Sequence, residues 1–170
     1  MNEPMHQNAV VGVVLMRRAV DHPWVDHVWS PHQILWPAPQ TPDGTVLSDE
    51  DGSRLVYLGA AIVELFPGET ANYKDNLTSG EARLWVAARS DSEGGLPQSL
   101  RVTADPTEGE ALFEAGSDIV GSLPMPADLI EWISAFVETF HVEREFLKRK
   151  RDRKDRPFER GAAGARHREQ

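Results

Sequence analysis

Three histidines and two aspartates fall within twelve residues, Asp21, His22, Asp26, His27 and His32. These residue types can bind zinc or nickel, or act as general acid and base. The spacing matches no known ligand signature, and prolines at 23 and 31 interrupt it. If the segment is a strand, Asp26 and His27 point to opposite faces. Asp26, His27 and His32 are therefore kept as candidate metal or acid–base residues, with a structural or surface role as the simpler account. Trp24 and Trp29 lie in this stretch and Trp36 just beyond it. They read as an aromatic cluster that either packs at a sheet edge or forms an exposed partner-binding patch.

The rest of the chain offers no further catalytic signature. No dinucleotide glycine fingerprint, P-loop, nucleophile elbow, HExxH zinc motif or EF-hand loop occurs. Cysteine is absent, which excludes disulfides, thiolate metal sites and cysteine nucleophiles, and fits a reducing cytoplasm. No cofactor is implied. Tyr73 and Asn76 lie in a polar stretch and read as parts of a satisfied turn, although Asn76-Leu77-Thr78 is formally a glycosylation sequon.

The elements that must position these residues follow from periodicity. Residues 9–16 are valine-rich and read as a buried strand in which Gly12 marks a bulge or a close backbone approach. Residues 19–36 read as two extended pieces joined at Pro31, at a sheet edge. Residues 37–53 form a loop holding a short strand at 45–47. Residues 54–66 are apolar on both faces, as in a central strand or two strands meeting at Gly59. A turn at Pro67-Gly68 leads to residues 69–77, which suit a strand or a helical turn. Residues 82–89 and 99–104 form a hairpin around a loop at 91–97. Asp105-Pro106-Thr107-Glu108 has the order of a capping box, opening a helix that closes before Gly116. A short strand at 118–123 precedes Pro124 and Pro126. From Met125 the spacing of Leu129, Ile133, Phe136, Phe140 and Leu147 predicts one long amphipathic helix reaching Arg151.

The predicted fold is α+β, a mostly antiparallel sheet of five to seven strands packed by a short helix and one long C-terminal helix. A half-open barrel closed by that helix is the alternative. The predicted organisation is a disordered segment 1–8, a single domain 9–151 and a basic, disordered tail 152–170. With 170 residues the chain can bury a real core. Neither a transmembrane span nor a cleaved signal peptide is expected.

Charge is uneven. From Arg144 onward there are 11 Lys/Arg against 5 Asp/Glu, a net of +6, while the preceding residues hold 7 against 22, a net of −15. An acidic body disfavours nucleic acid and anionic membranes. Lys148, Arg149, Lys150 and Arg151 remain candidate contacts for an acidic partner. Interleaved Asp152 and Asp155 make the run a poor nucleic-acid groove, so a contact of that kind through the tail is only a third reading.

The order of "VGVVLMRRAVDHPWVDHVWSPHQIL", "VYLGAAIVELFPGETANYKDNL", "LWVAAR" and the "VTADP…PMP…FLKRKR" end resembles the domain of unknown function family 3305, over residues 10–155. The resemblance implies a proteobacterial protein without an established activity or catalytic residues. Its members tend to be encoded beside molybdenum-dependent formate dehydrogenase-type enzymes. That association implies a cytoplasmic accessory protein whose partner is a molybdoenzyme or one of its maturation factors. A non-enzymatic, protein-binding role is the expectation, with a metal-binding protein or enzyme using Asp26, His27 and His32 as the alternative.

Overall fold

The computed structural model describes residues 6–141. Seven strands form two antiparallel sheets, with three α-helices. The first sheet has the order β2-β1-β4-β3, built from β1 (Gln7–His22), β2 (Val25–Leu35), β3 (Thr45–Glu50) and β4 (Ser53–Leu65). The second has the order β6-β5-β7, from β5 (Arg83–Arg89), β6 (Gln98–Thr103) and β7 (Ile119–Pro124). The helices are α1 (Thr70–Thr78), α2 (Pro106–Glu114) and α3 (Ala127–Phe140). The predicted α+β class, with its antiparallel strands, is what the chain adopts.

The core lies between the two sheets. On β1 the period of two puts Ala9, Val11, Val13 and Leu15 inward. Val63 and Leu65 of β4, and Leu84, Val86 and Ala88 of β5, face them within one apolar cluster. Leu129, Ile133, Phe136 and Val137 of α3 complete it, joined by Tyr73 from α1. Beyond this hydrogen-bonded pairing, β2 runs beside β7 and β4 beside β6, so the sheets curl toward each other at both sides. At the β2–β7 approach a Cβ on Gly121 would come within 3.2 Å of the Pro31 ring. A small residue is needed there for the strands to lie this close.

The outer faces are covered separately. The predicted close approach at Gly12 is present, since a Cβ there would meet the Tyr57 ring at 2.7 Å and Pro39 at 2.8 Å. The segment after β2 thus folds back over Gly12 and Tyr57. On the second sheet α2 lies so close to Trp85 that a Cβ on Gly109 would clash with its ring.

Helix α2 begins as its sequence predicts. The Asp105 carboxylate accepts from the Thr107 and Glu108 amides at 2.9 and 3.4 Å, and Gly116 beyond the helix has φ +79°. The reciprocal half of the box is indirect. Glu108 accepts from the Thr103 hydroxyl at 2.9 Å, and that hydroxyl accepts from the Asp105 amide at 3.1 Å. Thr103 therefore stands between the two members of the box.

Several boundaries differ from the sequence expectation. Gln7 and Asn8 pair with Leu65 and Glu64, so the strand starts inside the segment expected to be disordered. It also continues past Arg17 and Arg18 to His22, because β2 pairs along that length. Pro31 does not divide β2. The pairing jumps from Pro31 to Gln33, and His32 is absorbed as a bulge. Strand β4 is likewise one strand, bulged beside Gly59 (φ +146°). The strand expected at 45–47 extends to Glu50 and turns tightly into β4.

Residues 70–78 are helical, the second of the two options their sequence left open. Their fixed points are tertiary: Thr70, Tyr73 and Asn76 are buried at spacings of three. Asn76 sits in the last helical turn rather than in a loop. Its amide nitrogen donates to the carbonyls of Arg83 and Ala104 at 2.8 and 2.9 Å, and its oxygen accepts from the Arg83 amide at 3.0 Å.

The largest departure is α3, which stops at Phe140 instead of running to Arg151. His141 is extended (φ −73°, ψ 120°), and its ring lies 3.1 Å from the Thr70 hydroxyl on α1. That tether redirects the chain where the buried stripe ends. Leu147, Lys148, Arg149, Lys150, Arg151 and the segment 152–170 lie outside the described residues, as do residues 1–5.

Candidate functional site

Beyond Leu15 the inward face of β1 changes chemistry without changing period. The next inward residue is Arg17, followed by Ala19. Arg17 stands directly opposite Trp29 on β2 and Arg54 on β4, and Arg54 stands opposite Asp49 on β3. One row of side chains, Trp29-Arg17-Arg54-Asp49, therefore crosses all four strands on one face. His27, opposite Ala19, begins the next row.

The row is partly bonded. Arg17 Nη2 lies 3.1 Å from His27 Nδ1. An arginine can only donate, so Nδ1 is the acceptor and the ring proton sits on Nε2. The His27 ring meets Trp29 edge-on at 6.1 Å. Arg54 donates to one oxygen of Asp49 through Nε at 3.1 Å and Nη2 at 2.8 Å. Arg17 has no carboxylate partner among the described residues. Two like charges directly opposite on a sheet repel, and Asp49 offsets only the Arg54 side of this pair.

Two adjoining hollows open over this row and share both arginines. One, of about 260 Å³, runs from Trp29 and Val46 to Gly94, Gly95 and Leu96 of the β5–β6 loop. The other, of about 230 Å³, reaches Ala19, Asp26, His27, Asp49 and Gly52.

The same two strands continue outward as a hairpin arm. Its tip is Pro23-Trp24, where the Trp24 amide donates to His22 Nδ1 at 3.2 Å. Trp24 is 87% exposed, and Val25 and Val28 are also exposed. Val25 and Val28 border a hollow shared with Ser90, Asp118 and Ile119, whereas Trp24 stands almost wholly in solvent.

The sequence candidates are placed apart. Asp26 is exposed, His27 half-buried, and His32 exposed at the bulge. His27 and His32 are separated by about 16 Å of strand. No group of three His, Asp or Glu able to hold a metal ion occurs among the described residues. The tryptophans also do not form one cluster. Trp24 is at the tip, Trp29 in the cationic row, and Trp36 half-buried against Trp132 of α3 at 6.2 Å. About 35 Å of strand separates Trp24 from Trp36. Of the tryptophan and acid–base candidates, the structure brings together Trp29 and His27, and Asp26 borders the same hollow as His27.

Sequence reasoning missed Arg54, and left Arg17 just beyond the strand expected at 9–16. The available signal was the unbroken period Val11, Val13, Leu15, Arg17, which placed a guanidinium on the core face.

A second polar node, around Tyr73, is structural. The Tyr73 hydroxyl accepts from the Phe66 amide at 3.0 Å. Burial, aided by the charges of Asp105, Glu69 and Glu108, pushes its pKa up to about 12. Asn72 bridges Glu69 and Asp105 beside it, at 3.0 and 3.2 Å.

The molecule is thus a two-sheet α+β domain with a cationic groove and a projecting hairpin. The family model described as "Protein of unknown function (DUF3305)" matches residues 10–150, and the chain belongs to that family. Neither the comparison with curated proteins nor that with solved structures finds a match. No helix among the described residues is long and apolar enough to cross a membrane.

Proposed function

We propose that the chain is a non-enzymatic accessory module that docks a protein partner through the β1–β2 hairpin. The observation that carries this is Trp24, 87% exposed at the tip and flanked by exposed Val25 and Val28. Tryptophan is enriched at binding hot spots, and a paired two-stranded arm presents it on ordered backbone. The family resemblance supports a more specific partner, a molybdenum-dependent formate dehydrogenase-type enzyme or one of its maturation factors.

The test is affinity capture from native cells with the wild-type chain and with Trp24→Ala, followed by mass spectrometry. The wild type recovers a molybdoenzyme subunit or maturation factor, and the variant loses it. A wild-type capture that recovers neither overturns the specific partner. Equal capture by the variant overturns the hairpin as the docking surface.

A further inference from the structure

We infer that the groove over Arg17 and Arg54 binds a small phosphate-bearing molecule with a flat ring, of the nucleotide type. Arg17 and Arg54 are register partners on one face, so the sheet sets the spacing of their backbones. Facing like charges are a cost unless an anion neutralises both. A dianionic phosphate does so with charge-assisted hydrogen bonds, for which arginine geometry is well suited. Donors remain for it. Arg54 binds Asp49 through Nε and Nη2, leaving Nη1. Arg17 uses one terminal nitrogen on His27. His27, which accepts from Arg17 at Nδ1, holds that guanidinium at the edge of the groove.

The flat part of the ligand is assigned by Trp29. It lies in the same row as the arginines and lines the first hollow opposite Gly94, Gly95 and Leu96. Trp29 is half-buried where it lines the hollow, and a planar ring stacked on an indole is a favourable and sequence-tolerant contact. The two hollows together fall in the size range of small-molecule sites. Asp26 and Asp49 border the second hollow and oppose an anion there, which puts the phosphate between the arginines and away from the hairpin.

This inference is independent of hairpin docking, and one experiment separates them. Adenosine monophosphate, inorganic phosphate and adenosine are titrated into ¹⁵N-labelled protein while the Trp29 indole and the Arg17 and Arg54 side-chain signals are followed. Adenosine monophosphate shifts all three saturably, phosphate shifts the arginine signals alone and more weakly, and adenosine shifts none. Arg17→Gln weakens binding of the monophosphate about ten- to a hundredfold, as expected for loss of a charged hydrogen bond, without lowering the melting temperature. Trp24→Ala leaves binding unchanged. Trp29→Leu retains phosphate binding but removes the preference for the monophosphate. The absence of any saturable shift overturns the proposal. So do shifts that survive Arg17→Gln undiminished, or a monophosphate no tighter than inorganic phosphate.

Discussion

The two halves of β1 follow one alternation and end in different chemistry. From Ala9 to Leu15 the inward positions are apolar and closed over by the second sheet and α3. From Arg17 to His22 the same face is cationic, then open, and the strand leaves the body as one side of an arm. Regular backbone pairing continues throughout. What differs is what lies opposite: Leu84, Val86 and Ile133 close the first half, whereas a loop and solvent face the second. A sheet can thus be scaffold and site at once, with the boundary set by where the opposing layer ends.

The sharpest way to break the contrast is to charge the closed half. Ile133 is fully buried, and Ile133→Asp should abolish folding, a loss of more than about 4 kcal/mol, seen as a lost cooperative melt. Phe136→Asp should behave alike. Next in size is Asn76→Ala, which strips partners from the carbonyls of Arg83 and Ala104 and the Arg83 amide. A cost of about 2–3 kcal/mol is expected by urea denaturation, since buried groups are left unsatisfied.

Tyr73 supplies a pH test of the closed half. Its folded pKa, about 12, lies above the ordinary value of 10.0. The protonated form is therefore favoured by the fold. Its contribution is complete below pH 10 and is lost as pH rises toward 12, amounting to on the order of 2 kcal/mol. Tyr73→Phe should flatten that alkaline loss. The smallest effect belongs to the open half. Trp24→Ala should change stability by less than about 0.5 kcal/mol, because its ring has almost nothing to lose. A large destabilisation there would show the arm to be structural and dissolve the contrast.

Where local chemistry decided the outcome, the sequence was legible. Asp105, Pro106 and Gly116 marked α2, and the strand patterns of 82–89 and 99–104 marked the hairpin formed by β5 and β6. Where tertiary partners decided, it was not. Residues 70–78 carry a weak pattern because their helix is fixed by hydrogen bonds to distant backbone. The end of α3 depends on Thr70, 71 positions away from His141. Trp24, Trp29 and Trp36 are neighbours in sequence, but an extended strand turns sequence proximity into spatial separation. Arg54 became visible only once β4 was known to pair with Arg17.

Both neighbours of β1 carry an extra residue at the same level. On β2 it is His32, and on β4 it is Leu58, opposite the step from Val13 to Leu15. Each extra residue inverts the parity of its strand, which is why Trp29 and Ile34 both turn toward the interior although an odd number of positions separates them. The orientation of the cationic row is therefore written in a count of residues, and no substitution can restore it once the count is wrong. Deleting His32 alone would send Trp29 and His27 outward while Arg17 stayed in place. Variation in length at these two positions would dismantle the groove more completely than variation in any side chain that lines it.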